Sequence, residues 1–176
     1  MYGVLLVMFM TLLMSFYIGL GGHSEPPKLR AEVVAMQMSS WHVAAQQRCD
    51  ASPCAGGSVD PRSYLNDSVK NSDFVRRNYF RSNFDVSTNY VLTSLTGVGM
   101  DIGDVSTGTV SASFHKFLGQ NSSSSIGYWN MTTGRIELPS RNYGKTHLVV
   151  PGDIPLNLLI GVPNGSPVML NKVTKH

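Results

Sequence analysis

Hydrophobic and polar positions divide the chain into parts of unlike character. Residues 1–20, MYGVLLVMFMTLLMSFYIGL, contain no Asp, Glu, Lys, Arg or His. As a helix rising about 1.5 Å per residue, such a run spans ~30 Å, the thickness of a hydrocarbon core. Thr11 and Ser15 can bond back to carbonyls within the helix. Tyr2 and Tyr17 stand near the two ends, where amphipathic rings favour the membrane interface. The run is expected to insert in a membrane. Gly21-Gly22 and Pro26-Pro27 then break the helix, and Pro27 suits the first turn of another.

The pattern predicts that second helix from residue 29 to about residue 48. Val34, Met38, Trp41 and Ala45 follow 4-3-4 spacing, and Leu29, Val33, Met36 and Val43 widen the apolar side. Arg30, Glu32, Gln37, Gln46, Gln47 and Arg48 supply polar positions. This is an amphipathic helix with a broad buried face, the core helix of a domain. Trp41 is expected to be its main core anchor. His42, one residue further on, is expected to point to solvent.

Pro53, Gly56, Gly57 and Pro61 mark a loop after the helix. Residues 62–84 have mixed periodicity and fit neither helix nor strand throughout. Residues 88–95, TNYVLTSL, have strand composition and alternation. Residues 97–108 form a Gly-, Asp- and Thr-rich connection; the spacing of Asp101 and Asp104 does not match an EF-hand. Residues 109–118 read as a strand or a short helix. Residues 126–130 and 135–138 read as a hairpin around Met131-Thr132-Thr133-Gly134. Residues 148–150 form a short strand. Residues 157–162 and 167–170 are predicted strands on either side of Pro163-Asn164-Gly165-Ser166. An α+β fold follows: an amphipathic core helix packed on an antiparallel β-sheet, behind an N-terminal transmembrane helix. Residues 1–22 are the expected anchor, 23–28 a hinge and 29–176 an exported α+β domain.

Composition narrows the class. Charged residues make up 14% of the chain, against roughly 25% in average soluble proteins. Small polar residues fill the difference, which fits an exported surface protein better than a cytosolic enzyme. The net charge of +3 is modest and its basic residues are scattered, so no nucleic-acid partner is expected. The two cysteines, Cys49 and Cys54, have four residues between them. A redox motif has two. A zinc site needs further ligands, and only His42 lies nearby. A structural disulfide closing a short loop is the favoured reading, with free thiols and metal or redox chemistry as alternatives. A disulfide implies periplasm or cell exterior. Lys28 and Arg30, just past the apolar run, argue for the opposite topology by the positive-inside rule.

Catalytic signatures do not emerge. The chain has no Gly-x-Ser-x-Gly, no His-Glu-x-x-His and no phosphate-binding glycine loop. His23, His42, His115, His147 and His176 are dispersed. The expectation is a non-enzyme without cofactor or metal. Asn66, Asn121 and Asn130 begin Asn-x-Ser/Thr triplets, a pattern common by chance.

The order of elements resembles a known family. A hydrophobic helix leads into AEVVAMQMSSWHVAAQQ, followed by a Gly-rich exit, the strand around Asn89-Tyr90-Val91, a late Ser/Gly segment, and the ending IPLNLLIGVPNGSPVML. This resembles the PilM family of small inner-membrane proteins encoded with the thin type IV pilus of conjugative plasmids, over residues 31–170. The closing Pro163-Asn164-Gly165-Ser166-Pro167-Val168 turn and the order of elements carry the likeness. The chain departs from a processed major pilin, which has a basic leader and a Gly before a hydrophobic helix with an early Glu. The resemblance implies a single-pass inner-membrane protein with a pilin-like periplasmic domain. It would act in pilus biogenesis or assembly, in the setting of conjugation, through contacts with other pilus-assembly proteins or pilins. Gly22-His23-Ser24 leaves open a second reading, a secreted pilus subunit or adhesin released by signal cleavage. An exported hydrolase with an unrecognised site is a third.

Overall fold

Ala, Met, Gln and Arg dominate the stretch that follows the Pro-Pro break, and all favour helix. The computed structural model describes residues 27–100, 110, 113, 125–137 and 154–173. The longest element among the described residues is the helix α1, Pro27–Ala51, 25 residues. Pro27 opens it, where a missing N–H costs nothing. The sequence Ser52-Pro53 stops it, because a proline disfavours helical backbone before it. Arg48 lies in the last turn, favourably placed for the helix dipole. The helix therefore takes in Pro27 and Lys28, which the sequence assigned to the hinge, and runs past Arg48.

Buried positions on α1 are Ala31, Val34, Ala35, Met38, Trp41, His42, Ala45 and Cys49, with Ala44 beside them. Their spacing of three and four draws one stripe along the helix. Two expectations are corrected here. His42 is not solvent-facing: it is 1% exposed. It stands four residues after Met38 and three before Ala45, and so shares the stripe with Trp41. Met36 and Val43 do not widen the buried side; they are 57% and 45% exposed.

Six strands form one sheet: β1 (Gly57–Val59), β2 (Phe80–Asp85), β3 (Tyr90–Leu95), β4 (Ser125–Asn130), β5 (Arg135–Glu137) and β6 (Pro167–Lys172). Their spatial order is β1-β2-β3-β6-β4-β5. Every pairing is antiparallel. The fold is thus α+β with a six-stranded antiparallel sheet. The last strand is inserted at the centre, between β3 and β4, rather than added at an edge. Residues 157–162 are not the strand expected before it. Pro155 precedes a helical turn, α5 (Leu156–Leu159), once α2 (Asp67–Lys70), α3 (Asp73–Arg76) and α4 (Gly97–Met100) are numbered along the chain. Gly161 then takes φ 76°, a left-handed turn that ends any extended run.

Residues 62–84, unassigned by periodicity, divide into a 3-10 turn (Arg62–Tyr64), α2, α3 and the start of β2. Each short helix is opened by a side-chain cap. Asn66 accepts from the Val69 N–H and Ser72 from the Val75 N–H. The caps were in the sequence; the helices are too short to show a period.

The sheet is covered on both faces. Against α1 lie Phe80, Leu95, Ile126 and Met169 in one cluster, and Val59, Phe84, Val91 and Val173 in another. The far face gathers Leu92, Trp129, Ile136, Leu158, Val162, Val168 and Leu170. Among the described residues no helix is long and apolar enough to cross a membrane. The expected anchor, residues 1–20, lies outside the described residues, as do residues 148–150 and all but two of 109–118.

Candidate functional site

Beneath α1 the sheet carries polar residues among its apolar ones. Alternation along β2 points Phe80, Ser82 and Phe84 at the helix, and along β3 Val91, Thr93 and Leu95. Ser82 and Thr93 are register partners in neighbouring strands, and Asn171 pairs with Val91 on the next. The helix meets this polar row with Trp41 and His42. Trp41 Nε1 donates to Ser82 Oγ at 3.1 Å. Ser82 Oγ and Thr93 Oγ1 are 2.7 Å apart, and Thr93 Oγ1 and His42 Nδ1 2.8 Å.

An indole N–H can only donate. Ser82 therefore accepts from Trp41; the Ser82–Thr93 bond can run in either direction, and the role of His42 Nδ1 depends on the imidazole tautomer. Burial pushes the His42 pKa down to about 4, and the Asn171 side chain opposes that shift. His42 is therefore uncharged at neutral pH. His42 Nε2 and Asn171 Oδ1 are both buried without a hydrogen bond of normal geometry. Trp41, Ser82, Thr93 and His42 form a hydrogen-bonded polar thread through an apolar interface, with Asn171 beside His42.

A second polar cluster lies on the other face. Asp85 Oδ2 accepts from Ser87 Oγ at 2.5 Å, Thr88 N at 2.8 Å and Thr88 Oγ1 at 2.6 Å. Its Oδ1 accepts from Asn157 Nδ2 at 2.6 Å. Burial works against ionisation here, but the donors of Ser87, Thr88 and Asn157 outweigh it and hold the carboxyl well below the usual carboxylate range. Nearby, Asn83 Nδ2 donates to the Leu158 carbonyl at 3.0 Å. The cluster pins α5 to the β2–β3 hairpin and offers no free carboxylate for chemistry.

Trp41 is buried at 4% exposure, against Phe80 at 6.1 Å between ring centroids. The Arg62 guanidinium stands 5.8 Å from the indole centroid and pairs with Asp60 at 3.1 Å. Cys49 and Cys54 lie at disulfide distance, with Sγ atoms 2.07 Å apart and Cα atoms 5.0 Å apart. Together they close the end of α1 onto the turn into β1. Trp41 and Cys49 belong to separate apolar clusters, so the sequence-picked residues do not converge on one site. Among the described residues no group of three or more His, Cys, Asp or Glu could hold a metal ion.

The opposite side of α1 is the other feature periodicity did not separate. Residues 33–47 contain no charged side chain on any face. Met36 and Val43 project from the outer side, and a groove of about 320 Å³ runs beside them. Ser39, Ser40, Val43, Ala44 and Gln47 form one wall; Tyr64, Leu65 and Asn66 form the other. The signal was legible as an exposed helix without charge, but only once the buried stripe was known. No family model, curated protein or solved structure matches the chain.

Proposed function

We propose that the chain is a membrane-anchored accessory component of type IV pilus biogenesis, with its α+β domain in the periplasm and its work done by protein–protein contact. One observation carries the reading: an uncharged run of twenty residues, a Gly/Pro break, and then a single long helix laid across an antiparallel sheet. That is the layout of a pilin-like head on a membrane stem. The cysteine pair at disulfide distance supports an oxidising compartment. The partners in this reading are the inner membrane and other pilus-assembly proteins or pilins.

A reporter fused after His176 tests the placement. A periplasm-active reporter should work and a cytosol-only reporter should stay silent; the reverse places the domain in the cytosol. Mass analysis of the mature N-terminus should find Met1 intact. A start near Ser24 would instead make this a released subunit. Deleting the gene in the cell that carries it should reduce assembled pili. Unchanged piliation would end the pilus reading while leaving the anchor untouched.

A further inference from the structure

A solvent-facing helix side usually carries charge. The outer side of α1 does not, over residues 33–47, a length of about 22 Å. Instead it presents Met36 and Val43, more than 40% exposed each, with Ser39 and Ser40 between them. The spacing of Met36 and Val43 is seven residues, which returns to the same side of a helix and marks a seam rather than scatter. Two polar groups along the seam are occupied within the chain. Ser40 Oγ donates to the Met36 carbonyl at 3.1 Å. Asn66 Oδ1, on the far wall of the groove, accepts from Val69 N at 2.9 Å and Ser68 Oγ at 2.8 Å. A partner drying this face would not leave these two groups unpaired.

We propose that this face is a homotypic contact: α1 of one copy packs side by side on α1 of a second copy of the same chain, with Met36 and Val43 along the seam. Three observations select a second copy over another partner. A two-fold contact brings each surface against itself, so any charge on it would meet its own sign; a face with no charge over fifteen residues meets that condition. The small side chains Ser39 and Ser40 let two helix backbones approach closely, and the groove beside them can lodge an apolar side chain. The third is the uncharged run before α1. The inference rests here on the proposed membrane anchor, which would hold copies parallel and in one plane. One helix side buries less than the ~1,200 Å² that a stable free dimer needs. Tethering supplies the effective concentration that makes so small a contact suffice.

Cysteine cross-linking of the full-length chain in intact membranes tests this. Met36→Cys and Val43→Cys each place a thiol on the seam. Met131→Cys, 62% exposed in the β4–β5 turn, is the control. Mild oxidation should give a product of twice the chain mass from both seam variants, several-fold more than from the control. Adding Val43→Lys to the Met36→Cys chain should abolish that product without lowering the melting temperature, because like charges then meet across the two-fold axis. Chain in the membrane fraction with no excess over the control, or with a product of another mass, overturns the homotypic contact and leaves the anchor standing. Chain in the soluble fraction that still cross-links on the seam removes the anchor and leaves the contact. Chain that is soluble and does not cross-link ends both.

Discussion

The two sides of α1 are alike in composition and opposite in environment. The inner side holds Trp41 and His42 at 4% and 1% exposure; the outer side holds Met36 and Val43 at 57% and 45%. Polar residues are buried and apolar ones exposed within the same two turns. Hydrophobicity alone therefore does not orient this helix. What orients it is the sheet: Ser82 and Thr93 provide partners at the place where Trp41 and His42 arrive. A buried polar group is tolerated where it is paired, and an exposed apolar group carries no comparable penalty.

The strongest way to break the contrast is at Trp41. Trp41→Ala removes the largest inner side chain and the first donor of the polar thread. It should cost about 3–5 kcal/mol in urea unfolding of the purified full-length protein, enough to unfold a marginal domain. Trp41→Phe keeps most of the apolar contact and loses only the N–H to Ser82, so about 1–2 kcal/mol is expected. A domain that tolerates Trp41→Ala would show that α1 is held by something other than its inner stripe.

Acid attacks the same side by another route. His42 has a folded pKa of about 4 against 6.5 in the unfolded chain, the difference set by burial and opposed by Asn171. The unfolded state takes up the proton first. This contribution to stability is therefore complete above pH 6.5, falls as pH drops from 6.5 to 4, and is constant below 4. The loss is roughly 3 kcal/mol. His42→Leu should flatten that window in a pH series of melting temperatures. A wild-type profile already flat from pH 6.5 to 4 would mean that His42 reaches water.

Asp85 sharpens the comparison from the far face of the sheet. It too is buried, at 5% exposure, yet its environment favours the charged form, because side-chain and backbone donors converge on it. Its stabilisation is present above its unfolded pKa, near 4, and is lost as pH falls below that value. Asp85→Asn turns an acceptor toward donors into a mixed group and should cost about 2 kcal/mol at neutral pH. The variant should lose the stability slope below pH 4 and keep the His42 slope above it. Loss of both slopes together would show that the two clusters unfold as one titrating unit.

Much of the architecture was readable from residue order. The 4-3-4 spacing from Val34 to Ala45 located the inner stripe, and Met131-Thr132-Thr133-Gly134 located the β4–β5 hairpin. The breakdowns have physical causes. His42 was sent to solvent because it follows Trp41 by one residue, although its position three residues before Ala45 places it on the buried stripe. Residues 157–162 looked like a strand because Leu and Ile alternate poorly with anything; Pro155 and the Asp85–Asn157 bond decide for a helical turn. The pairing of β6 between β3 and β4 joins residues 74 to 82 apart in sequence on one side and 39 to 45 on the other, and no local pattern encodes it. The polar thread has the same character: Trp41 and Ser82 are 41 residues apart, and His42 and Thr93 are 51.

The smallest expected effect falls on the outer side, and it is the most discriminating. Met36→Ser and Val43→Ser remove apolar side chains that the isolated domain leaves in water. Surface changes away from caps, cavities and buried pairs usually stay within about 0.5 kcal/mol. Ser has slightly lower helix propensity than Met and about equals Val, so propensity adds only a few tenths to the first substitution. Melting of the purified chain in detergent at low concentration should therefore hardly move. The equivalent change at Val34, fully buried on the inner side, should cost at least 2 kcal/mol. If Met36→Ser and Val43→Ser destabilise the chain as much as Val34→Ser, the outer side is already covered within one molecule. If they are neutral in dilute detergent but lower melting when the chain is concentrated or held in membranes, the exposed seam is stabilised by a neighbour, and helix α1 has two buried sides in the working protein.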